Sequence, residues 1–420
     1  MRLEGNAVPK YTSFFLLVSA FIFLNPFHRG ILGLMVLSVY IVAMIPNKRI
    51  TNAILNDIGF WVLLSFDLLT SILQLSYQFI NNKTFVDYLT YPLILYIFGL
   101  IFVGRIKEKK RIMYFFYVVI IGFAIVGIST VLYTTHFYGS TFDGFNSRVG
   151  LNPLFGDTKI SATGVGIYVS LGIALSGVLF IKTTNILLKG LNALIFLLSL
   201  YASLAFADRT GLIVAVLSVV SVYVIQMRLN SARKNVKTAS LYIFIAIALI
   251  FLFNINLFNL KTMWLESSAF QRLTGMSLTN DPRFTAWGEA FKGMFSYPLG
   301  GKQARLNLDY AHNLWLDVGW TTGVFPFLLL LVFSLRTIRG YFKILRNQDL
   351  SSYLKYLLTA ILCGFFLTFM VEPVMEANVL FFCGFCFISG IISSLSKGDA
   401  NPPVCVSRQP LAVPLEEDPL

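Results

Sequence analysis

Three side chains combine chemical capacity with an unusual setting. His312 stands in DYAHNLWLDVGWTTGVFPF, at the head of an apolar stretch, and is one of 3 histidines. An imidazole titrates near neutral pH, so it can act there as a general base. His28 and His136, in or beside connections without ligand-like neighbours, read as surface residues. Arg209, in AFADRTGLIV, separates two strongly apolar runs with almost no loop between them. A guanidinium at the edge of apolar surroundings is costly unless it meets an anion or water, and its planar fork suits a phosphate. The competing reading is an ion pair with Asp208.

Arg283 lies in LTNDPRFTAWGEAFKGMFSYPLGG, which is punctuated as a helix. Asp281 suits the N-cap and Pro282 the first helical position, while Tyr297-Pro298 with Gly300-Gly301 ends it. In the first turn, free backbone N–H groups favour an anion and disfavour an arginine, which points to a ligand for Arg283. A solvated arginine beside Asp281 or Glu289 is the alternative. Phe284, Trp287, Phe291 and Met294 or Phe295 recur at helical spacing, giving an apolar face for a membrane surface or a helix bundle.

The acids that accompany these residues are scattered, with no D-x-D and no His/Asp cluster to hold a metal ion. Glu372 and Glu376, four apart, can reach His312 or an arginine; a solvated pair at a helix end is the commoner outcome. Cys383 and Cys386 form a C-x-x-C inside LFFCGFCFISG, without a second pair or histidine, and read as buried helix cysteines.

The elements that must position these groups are membrane helices. Of 420 residues, 56% are hydrophobic and only 13% charged, with 40 Phe and 19 Tyr. One soluble core of this length cannot hide so much apolar surface. Apolar stretches predict about 12 spans, at 12–28, 30–46, 54–77, 87–104, 112–134, 162–181, 188–207, 210–227, 239–258, 312–335, 354–371 and 376–395. The first follows Arg2 and Lys10 without a small-residue cleavage site, so it reads as a retained helix rather than a signal peptide.

The net charge of +13 would suggest nucleic acid in a soluble protein, but topology explains it better. With the N-terminus inside, two thirds of the Lys and Arg border the inner face, most densely at 105–111, which puts both termini in the cytoplasm. Two long outer connections remain, 135–161 and 259–311. They hold Arg148, Lys159, Lys261, Arg272, Arg283, Lys292, Lys302 and Arg305, cations that insertion rules do not require there. Arg209, Arg283 and His312 all map to this outer side. The chain thus divides into helices 1–9 (1–258), a large outer loop (259–311), helices 10–12 (312–396) and a proline-rich cytoplasmic tail (397–420) that reads as disordered.

These residues resemble the O-antigen ligase and polymerase family, polytopic inner-membrane glycosyltransferases. The family pattern of His-Asn, nine residues and Gly matches His312-Asn313 and Gly323, with Gly319 in the usual small-residue zone. Its arginine between two helices is similar to Arg209, and its arginine opening a loop helix to Arg283, followed by Trp287 and Pro298 to Gly301. The resemblance covers most of the chain from about 145 onward; Pro326 stands where many ligases keep a second glycine. It implies an all-α polytopic, GT-C-like fold with an amphipathic helix in the large periplasmic loop. It also implies metal-independent, inverting transfer without a cofactor, from undecaprenyl diphosphate-linked glycan to lipid A-core. Arg209 and Arg283 would bind the diphosphate and His312 would deprotonate the acceptor, with Arg148, Lys302, Arg305, Asn313 and Trp287 as further substrate contacts. Solvated loop cations remain an equal reading of Arg148, Lys302 and Arg305. An O-antigen polymerase, which joins lipid-linked repeat units, is the nearest alternative, and a membrane transporter the more distant one.

Overall fold

The computed structural model describes residues 10–24, 30–103, 112–138, 148–156, 158–181, 185–229 and 281–397, with a few isolated positions between 254 and 274. Helices dominate: α1 (Lys10–Phe23), α2 (Gly30–Met44), α3 (Lys48–Leu55), α4 (Ile58–Ser76), α5 (Asn82–Val103) and α6 (Ile112–Tyr138). A hairpin of β1 (Val149–Asn152) and β2 (Thr158–Ser161) precedes α7 (Ala162–Ala174), which runs on into a 3-10 turn, Leu175–Val178. Then come α8 (Ile186–Ala205), α9 (Arg209–Leu229), α10 (Pro282–Ser296), α11 (Leu314–Thr322), α12 (Val324–Arg346), α13 (Ser352–Val371), the single turn α14 (Val374–Ala377) and α15 (Val379–Ser396).

Eight of these helices are long and apolar enough to cross a membrane: α4, α5, α6, α8, α9, α12, α13 and α15. Several keep large apolar side chains outward, such as Phe325, Leu328, Val332 and Leu335 on α12 and Ile213, Val216 and Val220 on α9. These rows follow helical spacing, as expected of helices that use lipid as solvent. The chain is therefore a helical, membrane-embedded protein.

Four expected spans take another form; the first, expected at 12–28, is described as the 14-residue helix α1. The second ends at Met44, and α3 leaves α2 at 110°. The sixth is the shorter apolar segment Ala162–Val178. The tenth, expected at 312–335, is broken at Gly323, whose φ of 89° interrupts the helix; the long apolar helix starts only at Val324. The ninth span, the block at 105–111, most of 259–280 and the tail after Lys397 lie outside the described residues.

The core sits around α15, which packs closely on α5 and meets the aromatic side chains of α13. Gly99 and Gly390 allow α5 and α15 to touch backbone to backbone, since a Cβ at either would strike the other helix. Phe365, Phe369, Phe381 and Phe385 interlock between α13 and α15, three of the four ring pairs edge-on and Phe365–Phe381 tilted. Cys383 and Cys386 are free and buried there.

Candidate functional site

Two of the three side chains singled out by type, Arg283 and His312, converge on one carboxylate. Glu372 follows the last turn of α13 and is 2% exposed. Its Oε1 accepts a hydrogen bond from Thr210 Oγ1 at 2.7 Å and lies 3.7 Å from Arg283 Nη2. Its Oε2 lies 3.9 Å from His312 Nδ1. That gap exceeds a hydrogen bond, and neither atom has a partner among the described residues. A small rotation of the imidazole would close it.

Arg209 opens α9 and donates from Nη2 to Asp281 Oδ2 at 3.1 Å. The competing expectation of an Asp208–Arg209 ion pair is not realised. The carboxylate of Asp208 instead accepts from the backbone N–H of Thr210 and Gly211, satisfying the free donors of the α9 N-terminus. Burial, helped by nearby Glu372, pushes the Asp208 carboxyl up to about 6, against these backbone bonds and Arg283. Asp281 serves twice, because its Oδ1 also accepts from Arg283 N–H as the N-cap of α10. One short acid thereby ties the arginine of α9 to the helix carrying the second arginine.

The hairpin, expected only as loop, brings in Arg148. Asn152 is fully buried, and its amide donates to Val126 O and Thr130 Oγ1 of α6, which fixes the hairpin to the bundle. Arg148 precedes β1 with φ of 48°, its carbonyl accepting from Ala162 N–H. Its guanidinium is within electrostatic reach of Asp208, Glu372, Arg283 and Arg209. Partial burial draws its pKa down, the two acids act the other way, and the two arginines add to the lowering.

His312 is held by its neighbours. Asp317 of α11 accepts from Ala311 N–H at 2.7 Å and Asn313 N–H at 3.1 Å, bracketing the histidine. That loop forces His312 to φ of 54°, a conformation that side chains larger than glycine adopt only under constraint. Burial, with Glu376 adding to it, raises the Asp317 carboxyl well above its ordinary value. The Asn313 side chain caps α11 through Leu316 N–H and donates to Met370 O, so it braces the loop against α13.

The Pro298–Gly301 segment and Gly323 meet directly. Gly301 N–H donates to Thr321 O, Lys302 N–H to Trp320 O, and Val324 N–H to Pro298 O. Gly300, at φ of 80°, leaves no room for a Cβ against Gly323 and Thr321. These strands of backbone clamp α10 to the helix that follows the histidine.

Lys302, at φ of 55°, points into a cage of Phe79, Trp320 and Tyr310, its Nζ 4.9, 5.1 and 5.6 Å from the ring centroids. Arg305 is exposed. Trp287 packs edge-on against Phe284, and its buried Nε1 has no partner among the described residues. The packed face of α10 is Ala286, Ala290, Gly293 and Met294, whereas Phe284, Phe291 and Phe295 point outward. The expected apolar face therefore splits: only Trp287 and Met294 turn inward, because small residues let α10 approach α11 closely.

Sequence reasoning underweighted Glu372 and missed Asp317 and the second role of Asp281. An acid directly after an apolar helix, and an acid five residues past the histidine within an apolar one, were the available signals. Among the described residues no group of three or more His, Cys, Asp or Glu could hold a metal ion. No family model and no curated protein matches the chain.

Proposed function

We propose that this protein is a membrane glycosyltransferase that moves a glycan from undecaprenyl diphosphate to a hydroxyl of lipid A-core, as an O-antigen ligase does, on the periplasmic side of the bacterial inner membrane. The observation that carries this reading is the convergence of Arg283, His312 and Thr210 on buried Glu372, with Arg209 one acid away, from segments far apart in sequence. Two guanidiniums beside an imidazole suit a reaction in which a diphosphate leaves and an alcohol attacks.

In the derived mechanism, the diphosphate competes with Asp281 and Glu372 for Arg209 and Arg283. An acceptor hydroxyl approaches His312, which takes its proton as the oxygen bonds to the anomeric carbon. The anomeric carbon–phosphate oxygen bond breaks on the opposite face, and the electron pair leaves on undecaprenyl diphosphate, stabilised by the arginines. Glu372 orients the imidazole and stabilises the imidazolium that forms.

The test is reconstitution of the purified chain with lipid-linked polymer and core lipid, following glycan transfer. Arg209→Ala, Arg283→Ala and His312→Ala should each insert normally and lose transfer; full transfer by all three would defeat the mechanism. Deletion in cells separates the acceptors: lipid-linked long polymer with bare core indicates a ligase, core with one repeat unit a polymerase. A transport reading draws on the buried polar face of α4, Asp67, Thr70, Ser71 and Gln74. Movement of glycolipid across the same vesicles without any glycosidic transfer would favour it.

A further inference from the structure

A second polar chamber lies at the other ends of the helices that carry the site. α12 leaves the Gly323 clamp and reaches Arg346, α15 leaves α14 and reaches Ser396, and α4 begins there and ends beside Tyr77, whose hydroxyl donates to Leu299 O. Between these far ends is a cavity of about 280 Å³ whose lining includes Arg336, Arg339, Lys343 and Lys397.

One acid faces them. Asp57 is fully buried and accepts from Tyr96 at 2.8 Å and from Ser393, with Lys397 Nζ at 2.8 Å and Arg336 at 3.9 Å. Lys397 thus has its own counter-ion, and Arg336 a distant share of it. Arg339 and Lys343 carry no ion pair among the described residues. The chamber holds more positive than negative charge. Gly340 lets Ile392 pack close against α12, and Gly59 lets Tyr96 reach Asp57, since a Cβ at either would strike these side chains.

Insertion rules favour cations near this end but do not ask them to face a common cavity. Alongside, Leu335, Ile338 and Phe342 border a second depression shared with Arg339 and Lys343, and Leu335 and Phe342 are exposed. A cationic chamber opening beside an apolar strip matches a molecule with an anionic head and an apolar tail.

We propose that this chamber binds the phosphate headgroup of an anionic phospholipid through Arg336, Arg339 and Lys343, with an acyl chain along Leu335, Ile338 and Phe342. The site is independent of the glycosyl-transfer reading, since it shares no residue with the Glu372 cluster.

The experiment places the full chain in nanodiscs of phosphatidylcholine with a minor share of phosphatidylglycerol and counts retained lipids by native mass spectrometry. Phosphatidylglycerol should be retained in preference, and Arg339→Gln with Lys343→Gln should weaken that preference roughly thirtyfold. Lys48→Gln with Arg49→Gln removes equal charge from α3, outside the cavity, and should leave the preference unchanged; an equal loss there would overturn the site. Absence of any preference would overturn it too. So would stabilisation by inorganic phosphate in pure phosphatidylcholine discs without lipid selectivity, which would reassign the chamber to a free anion. Should the double variant fail to fold, the wild-type preference must still fall as salt rises; a salt-insensitive preference counts against the proposal.

Discussion

Glu372 concentrates the candidate chemistry because it is buried, charged and shared. Replacing it by Gln keeps the size of the side chain and an acceptor for Thr210, but removes the charge facing Arg283 and His312. Transfer should fall on the order of a hundredfold, mainly in kcat, if His312 depends on this carboxylate. Unchanged kcat in steady-state assays of Glu372→Gln would remove it from the mechanism. Asp208 offers a test that needs no substrate. Its folded-state pKa of about 6 lies above the ordinary value of 3.8, so the folded protein binds that proton more tightly than the unfolded one. Its contribution to stability is full below pH 4 and is lost as pH rises through 6. Asp208→Asn keeps a capping oxygen and removes the titration. The difference in Tm between variant and wild type should therefore grow in the variant's favour from pH 4 to 6.5 and then level off. A pH-independent difference would mean that folding does not raise the Asp208 pKa. Arginines and histidine could be singled out in the sequence, because charge in apolar surroundings is conspicuous. The centrality of Glu372 could not, since its partner Thr210 is 162 positions away and only the fold brings them together.

At the scale of elements, the clamp between Pro298–Gly301 and Gly323 decides whether α10 and α11 hold their side chains in register. Gly323 has φ of 89°, and a Cβ there would meet the backbone of Pro298 and Leu299. Gly323→Ala should destabilise the protein by roughly 1–3 kcal/mol and reduce transfer as well, because α10 carries Arg283. Gly288, on the exposed side of α10, has nothing within 4 Å of its virtual Cβ. There Gly288→Ala should stabilise by about 0.5–1 kcal/mol through helix propensity alone. Thermal unfolding in detergent checks both, and equal effects of the two substitutions would contradict the clamp. Hydropathy made the long helices legible, since α6, α8, α9 and α13 fall close to their expected spans. It could not show the break at Gly323, because the stretch as a whole is apolar and only a positive φ at one glycine separates α11 from α12. The hairpin was likewise hidden: its anchor is a single buried asparagine, Asn152, reaching α6, and no alternating pattern announces it.

For the molecule as a whole, charge is divided between two ends of the same helices. One end gathers Arg148, Arg209 and Arg283 around Asp208, Asp281 and Glu372; the other gathers Arg336, Arg339, Lys343 and Lys397 around Asp57. α12 joins them, because it starts at Val324 beside the clamp and ends at Arg346 after 23 residues, about 35 Å at helical rise. That length spans a hydrocarbon core of about 30 Å. Its outward residues Phe325, Leu328, Val332 and Leu335 form an apolar row along its first half, and the cations Arg336, Arg339, Lys343 and Arg346 follow toward its other end. If α12 crosses, Ser296 at the end of α10 and Asn347 after α12 lie on opposite sides of the membrane. In a background with the 4 native cysteines changed to alanine, Ser296→Cys and Asn347→Cys should react with an impermeant maleimide from opposite faces of oriented vesicles. Labelling of Ser296→Cys from the periplasmic face would put the Glu372 cluster where a lipid-linked periplasmic donor is met. Labelling of both cysteines from one face would mean that α12 does not cross, and would detach the two charged chambers from the two sides of the bilayer.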